Sequence, residues 1–303
     1  MTALVPSSIH GALPSDLRQT TGRWDRRQPD PVDLAEVDFF VPPYTASTRD
    51  LGLLARMPAL RVVQTLTAGV DTVQPLVPAG VTLCNAAGVH DASTAELAVG
   101  LTLASLRHLD DFARAMPDGR WLYDRHESLA DKRVLIVGFG SIGRAIARRL
   151  AGFECSILAV ARTAREVDGV EVRAQAELAD LLPTADVVIV IVPLTEQTRG
   201  MVDAAFLERM RRGALLVNVS RGAVVDTPAL LAATARGDVR AALDVTDPEP
   251  LPPDHPLWRT PGVLITPHVG GNTSAFLPRA RRLVTEQLRR WHAGEPLVNV
   301  IAR

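Results

Sequence analysis

The sequence predicts an α/β protein organised on a doubly wound parallel sheet, and three observations carry that prediction. The first is a strand–turn–helix unit at 133–150, RVLIVGFGSIGRAIARRL. The second is a series of further apolar strand candidates at 156–160, 170–172, 186–192, 214–219, 239–245 and 262–266, with helical segments between most of them. That alternation is the pattern of repeated strand–helix–strand units. The third is size: 303 residues are enough for two domains and a sizeable core.

Taken in order, residues 1–88 form a weaker α/β pattern. A strand is expected at 37–41, ending at Pro42-Pro43-Tyr44, where a loop begins. Residues 51–57 suit a short helix, 60–66 alternate like a strand, and 81–84 read as another short strand. The 60–66 strand runs into Thr67-Ala68-Gly69, where Gly69 reads as a plain turn glycine or as a close approach of backbone to a ligand. No clear strand is legible near the N-terminus. A long helix follows, with Asp91, Ser93 or Thr94 as cap and Glu96 in its first turn. From Leu97 to Leu106 it is apolar nearly all round, so it is expected to be buried between domains or in a subunit contact. Trp121 lies beyond it in a polar loop, as a packing or interface residue.

In the 133–150 unit, Gly138, Gly140 and Gly143 have the G-x-G-x-x-G spacing. The first glycine allows a tight turn, the second lets backbone approach a pyrophosphate, and the third lets helix pack on strand. The helix N-terminus then offers free N–H groups to the anion. A dinucleotide site is therefore expected, at the carboxyl ends of the strands. The second strand should be followed about here by an acid if a ribose 2′-hydroxyl were bound. Arg162 stands there instead, with Thr163 and Arg165 beside it. Guanidinium and hydroxyl groups suit a 2′-phosphate, so NADP(H) is preferred, with NAD(H) possible.

The other strand ends carry Val192-Pro193, then Val219-Ser220-Arg221, then Asp244 with Asp247 and Glu249, then His268 with Gly270 and Gly271. Arg221 can hold a carboxylate in a two-pronged pair, and His268 can exchange a proton near neutral pH. Asp247 and Glu249 compete as the acid behind His268, and spacing does not separate them. Of seven histidines, His268 alone directly follows a sheet strand. His10, His126 and His292 lie in polar or terminal stretches, His90 and His108 flank or sit on the long helix, and His255 lies in a proline-rich loop. These parts suit reduction of a 2-oxo acid, in which a carboxylate is anchored, a hydride delivered and a proton donated.

Formal net charge is −1, with no long basic or acidic run, which argues against nucleic acid or an anionic membrane as partner. Two cysteines, no apolar run near the roughly 20 residues of a membrane helix and no signal-like N-terminus lead to a cytoplasmic expectation. No metal ligand is assigned.

The order of motifs resembles the D-isomer-specific 2-hydroxyacid dehydrogenases, which include glyoxylate/hydroxypyruvate reductases and phosphoglycerate dehydrogenases. It rests on TLTAGVDTV at 65–73, STAELAVGLTLASLR at 93–107, VGFGSIG at 137–143 and VPLTEQTRG at 192–200. It continues through NVSRGAVVD at 218–226, ALDVTDPEP at 242–250 and TPHVGGNT at 266–273. The resemblance implies a Rossmann cofactor domain at 89–271 and a smaller flavodoxin-like α/β substrate domain formed by both chain ends, 1–88 and 272–303. It implies a catalytic set of Arg221, Glu249 and His268, choosing Glu249 over Asp247. It also implies contact of Asp244 with the nicotinamide amide, backbone of Ser141 and Ile142 at the pyrophosphate, and backbone of Ala68 and Gly69 at the substrate carboxylate. A homodimer joined through the cofactor domain is implied as well. Tyr44 is a candidate wall of the substrate pocket or a packing residue. The absence of a sequence beyond 303 weighs against a serine-regulated phosphoglycerate dehydrogenase. Glu249 weighs against formate dehydrogenases, which have Gln there. Two rivals share these motifs: a phosphite dehydrogenase and a dinucleotide-sensing, co-repressor-like interaction protein.

Overall fold

The computed structural model describes residues 2–25 and 32–301, and the chain divides into two compact units. One comprises Met1–His90 with Thr273–Arg303, and the other Asp91–Asn272. Residues 1, 26–31 and 302–303 of the expected smaller domain lie outside the described residues.

The first unit holds five parallel strands: β1 (Thr2–Pro6), β2 (Thr21–Trp24), β3 (Val37–Phe40), β4 (Val62–Gln64) and β5 (Thr82–Cys84). Their order is β2-β1-β3-β4-β5, the flavodoxin-like arrangement. Neighbouring side chains alternate between faces. Phe39 and Val62 face a core shared with Phe276, Val284 and Leu288 of the Phe276–Ala293 helix, while Phe40 and Val63 face the opposite core with Leu54 and Leu83. Thus β1 corrects the expectation that the N-terminus carries no clear strand. It lies inside the sheet, buried along most of its length, so it shows none of the apolar–polar alternation by which half-buried strands are read. The helix expected at 51–57 is instead an α-turn over Thr48–Gly52 followed by a 3-10 turn over Leu53–Arg56.

The second unit holds eight strands: β6 (Arg133–Val137), β7 (Ser156–Ala161), β8 (Arg165–Val167), β9 (Val170–Ala174), β10 (Val187–Val190), β11 (Ala214–Asn218), β12 (Val239–Leu243) and β13 (Val263–Ile265). The order is β13-β12-β11-β10-β6-β7-β9-β8, parallel except for β8 against β9. Strand order reverses between β6 and β10, the point at whose carboxyl ends sheets of this kind bind ligands. β8 was not expected. It forms a hairpin with β9 through Asp168-Gly169, both at positive φ (53° and 74°), the two-residue turn that matches strand twist. Arg165 therefore sits on a strand and not in the loop after β7.

The Asp91–Leu106 helix buries one side within its own unit. Ala95, Ala98, Val99 and Leu101 pack in one core with Ile146 and Leu150 of the Ser141–Leu150 helix and with Leu215 and Val217 of β11. That packing accounts for one side of its apolar circumference; Leu97, Leu103 and Ala104 on the rest of it are half-buried and Gly100 is exposed. Trp121 and Tyr123, in the segment after it, are 91% and 92% exposed.

Candidate active site

The site grows from the turn after β6. Gly138 has φ 104°, and a side chain there would collide with the Ile191 carbonyl after β10; one on Gly143 would collide with the Gly138 carbonyl. Those two contacts close the turn at the point where strand order reverses. Gly140 has open space at its Cβ position and is the N-cap of the Ser141–Leu150 helix, with no side chain capping it. The first-turn N–H groups of Ser141, Ile142 and Gly143 have no acceptor within the helix. This cradle fits a pyrophosphate: backbone donors, a positive dipole end and open space where a side chain on Gly140 would stand. Val192 and Pro193 follow β10 on the same edge, where the Pro193 carbonyl accepts from the Thr198 hydroxyl at 2.6 Å.

Arg162 and Thr163 follow β7 and are exposed. Arg165 reaches back from β8, with its guanidinium donating to the carbonyls of Phe139 (3.0 Å) and Thr163 (3.1 Å). It thereby ties the 162–164 loop to the glycine turn, leaving Arg162 as the cation directed to solvent beside it.

Arg221 follows β11. Its guanidinium donates to the Ser220 carbonyl at 2.8 Å. Asn218, fully buried at the strand end, donates to the Arg221 carbonyl and accepts from the Ser220 N–H and hydroxyl. A polar amide at the end of an otherwise apolar strand is the signal that marks Asn218, which sequence reading passed over as part of a motif. Val219 lies between them, buried in the core behind the turn.

His268 follows β13 at φ 52°, a left-handed position costly for a residue with a side chain. Its N–H donates to the Asp244 carbonyl at 2.8 Å. Asp244 is buried, and its carboxylate accepts from the Thr266 hydroxyl (2.6 Å) and from the N–H groups of Val269 and Gly270 (both 2.9 Å). Backbone and side chain of one aspartate thus clamp the loop on both sides of His268. Gly271 continues that loop. Thr266 is the second positioning residue that sequence reading missed.

The imidazole Nδ1 of His268 pairs with Glu249 Oε1 at 2.5 Å. Among the described residues Asp247, two residues earlier, engages only through its carbonyl, which accepts from the Thr227 hydroxyl. The geometry therefore selects Glu249 as the partner of His268. With Nδ1 turned to the carboxylate, Nε2 is the atom left to give or take a proton.

In the other unit, Ala68 and Gly69 follow β4. Asn85 donates to the Ala68 carbonyl (2.7 Å), the Thr67 hydroxyl to the Gly69 carbonyl (2.8 Å), and the His90 ring meets the Leu66 carbonyl at 2.8 Å. With these carbonyls engaged, the N–H groups of Ala68 and Gly69 make no hydrogen bond among the described residues. Tyr44 packs on His90 and Phe276, with ring centroids 5.5 and 4.3 Å away.

The model of the D-isomer specific 2-hydroxyacid dehydrogenase family, NAD binding domain, matches residues 99–270. A mouse glyoxylate reductase/hydroxypyruvate reductase is 38% identical over 71% of this chain and 68% of its own. A glyoxylate reductase of Korarchaeum cryptofilum is 34% identical over 83% of this chain and 79% of its own. A D-isomer specific 2-hydroxyacid dehydrogenase of Xanthobacter autotrophicus Py2, solved with NADPH and MES, superimposes with TM-score 0.85 at 30% identity, covering 99% of this chain and 98% of that one. An NADPH-dependent glyoxylate/hydroxypyruvate reductase of Sinorhizobium meliloti, solved with NADP and sulfate, gives TM-score 0.86 at 27% identity over 99% and 98%. The chain belongs to the D-isomer specific 2-hydroxyacid dehydrogenase family. It is an NAD(P)-dependent oxidoreductase that interconverts a 2-oxo acid and a 2-hydroxy acid.

Proposed function

We propose that this protein reduces a small 2-oxo acid of the glyoxylate or hydroxypyruvate type to the D-2-hydroxy acid, with NADPH preferred over NADH. The His268–Glu249 pair, clamped by Asp244 on the same sheet edge as the glycine turn, is the observation that carries the reading. When bound, NADPH supplies the hydride. Arg221 holds the substrate carboxylate, and the N–H groups of Ala68 and Gly69, unbonded among the described residues, suit the same kind of acceptor. His268, protonated at Nε2, gives its proton to the carbonyl oxygen, and Glu249 orients the ring and balances its positive charge. Arg162, with Thr163, faces the 2′-phosphate, while Arg165 fixes their loop. The Xanthobacter and Sinorhizobium structures, solved with NADPH and with NADP, support this preference.

A homodimer and a cytoplasmic location complete the proposal. Met116, Trp121 and Tyr123 are exposed in one short segment of the nucleotide-binding unit, where an association surface would bury them. Among the described residues no helix is long and apolar enough to cross a membrane, and both cysteines are free.

The test is oxidation of NADPH and NADH against glyoxylate, hydroxypyruvate, pyruvate and larger 2-oxo acids. Faster turnover with NADPH and one of the small acids is expected. Tight dinucleotide binding with no turnover across the panel would overturn the reductase reading in favour of a nucleotide sensor.

A further inference from the structure

The opposite edge of the same eight-stranded sheet carries a feature that the reaction does not use. A cavity of about 380 Å³ opens at the amino ends of β6, β10, β11 and β12. Lys132, Arg211, Arg212 and Arg240 line it, with Glu127 and Asp186 as the acids. The two acids are each taken up by one cation. Glu127 pairs with Lys132, and Lys132 draws its carboxyl below the usual carboxylate range. Asp186 pairs with Arg211 and also accepts from the Arg133 N–H at 2.8 Å.

Two guanidinium groups are left over. Arg240 donates to the Ser105 carbonyl in the last turn of the Asp91–Leu106 helix at 3.2 Å; among the described residues it makes no ion pair and acts on Glu127 only through space. Arg212 makes neither an ion pair nor a hydrogen bond among the described residues. The helix end brings at most about half a negative charge to the cavity. Four cations against two acids and that half charge leave a surplus of more than one positive charge inside a concave, polar space. Arginine is the side chain best matched to phosphate oxygens, through its planar fork of donors. The volume lies within the roughly 300–1,000 Å³ of small-ligand sites.

We propose that this cavity is a second, non-catalytic binding site for a small phosphate dianion, with Arg212 and Arg240 as its principal ligands. The shared chemistry is the phosphate group, free or as a monoester. The site is separate from the nucleotide edge, because it lies at the amino ends of strands whose carboxyl ends carry Gly138, Arg221 and Asp244.

The experiment is calorimetric titration of the full chain with inorganic phosphate and, separately, glycerol phosphate. Saturating NADPH keeps the nucleotide edge filled. The same titrations on Arg162→Asp check that no binding is counted at the 2′-phosphate position, whatever the outcome of the turnover panel. One site per chain is expected, with Kd at or below about 1 mM. Arg212→Gln and Arg240→Gln should each weaken it by at least about tenfold, the cost of a lost charged hydrogen bond. Arg212 is exposed, so its variant should fold, and an unchanged melting temperature and unchanged turnover verify that. Tighter binding of glycerol phosphate would identify a phosphorylated metabolite as the ligand; equal binding would identify the free ion. No binding of either probe, or equal binding by wild type and both variants, would overturn the proposal. So would loss of self-association in Arg212→Gln without phosphate binding, which would assign the cavity to a second copy of the chain.

Discussion

Two histidines in the nucleotide-binding unit pair with a carboxylate through Nδ1, and by local geometry they look alike. His268 meets Glu249 at 2.5 Å and His108 meets Asp111 at 2.9 Å. Each histidine has φ 52°, and all four side chains are roughly 40% exposed. Their surroundings differ. Asp111 is three residues from His108, in the first turn of the Leu109–Ala115 helix, and shares its carboxylate with Arg114. The His108 ring lies against His126, with centroids 4.6 Å apart. That pair is a local arrangement at a helix start. Glu249 is far from His268 in sequence, and the two loops that carry them leave neighbouring strands, β12 and β13. Buried Asp244 braces the His268 loop by three hydrogen bonds to its carboxylate. A short histidine–carboxylate contact is therefore not evidence of chemistry by itself. What matters is a braced, non-local pair on the edge where strand order reverses and the nucleotide cradle lies.

The largest expected effect tests that contrast directly. His268→Ala should lower kcat by roughly 10²–10⁴-fold, the loss of acid–base help. His108→Ala should leave kcat within about twofold, as expected of a residue that acts in no step. Steady-state assays of both variants with the best 2-oxo acid decide the matter. Equal losses, or a near-normal His268→Ala, would remove the distinction between the pairs.

The next effect concerns the cofactor side of the same edge. Arg162→Asp should cut the NADPH-to-NADH ratio of kcat/KM by about tenfold or more, since a charged hydrogen bond is replaced by repulsion. The effect should appear with the nucleotide and leave the KM for the oxo acid unchanged. An unchanged ratio would mean that Arg162 does not meet the 2′-phosphate.

The sequence made the nucleotide side more legible than the rest, for physical reasons. The turn at 138–143 is fixed by backbone crowding that only glycine relieves, so the constraint is written in residue identity. Fully buried strands such as β10, VVIV, are unbroken apolar runs and could be read directly. β1 and β2 were not legible, because TALVP and TGRW carry little periodicity and are held by pairing with neighbours. The β8–β9 hairpin was legible in principle, since Asp168-Gly169 between short alternating runs is a turn signal; β8 is only three residues long, too short to show a period by itself. Asn218, Asp244 and Thr266 show a different limit. Their bonding to loop backbone across β11, β12 and β13 depends on strand order, which a linear sequence does not display.

The smallest effect sharpens the comparison from the other side, by asking whether the local pair does what local pairs do. In the folded chain, hydrogen bonds from His108 and then Arg114 hold the Asp111 carboxyl below its usual range. A carboxyl with a depressed folded pKa contributes stability above its unfolded pKa, and that contribution is lost as pH falls through the folded value. Because the group is largely solvated, screening limits the effect to a few tenths of a kcal/mol, about 1 °C in Tm for a protein of this size. Asp111→Asn should therefore be slightly less stable than wild type at pH 7, and the difference should shrink toward zero as pH drops below the usual carboxylate range. Denaturant midpoints at a series of pH values would measure it, with kcat unaffected at neutral pH. A gap that stayed constant or widened on acidification would show that Asp111 acts through packing and not through its charge. A fall in kcat would tie the His108 pair to the reaction and undo the division drawn between the two histidines.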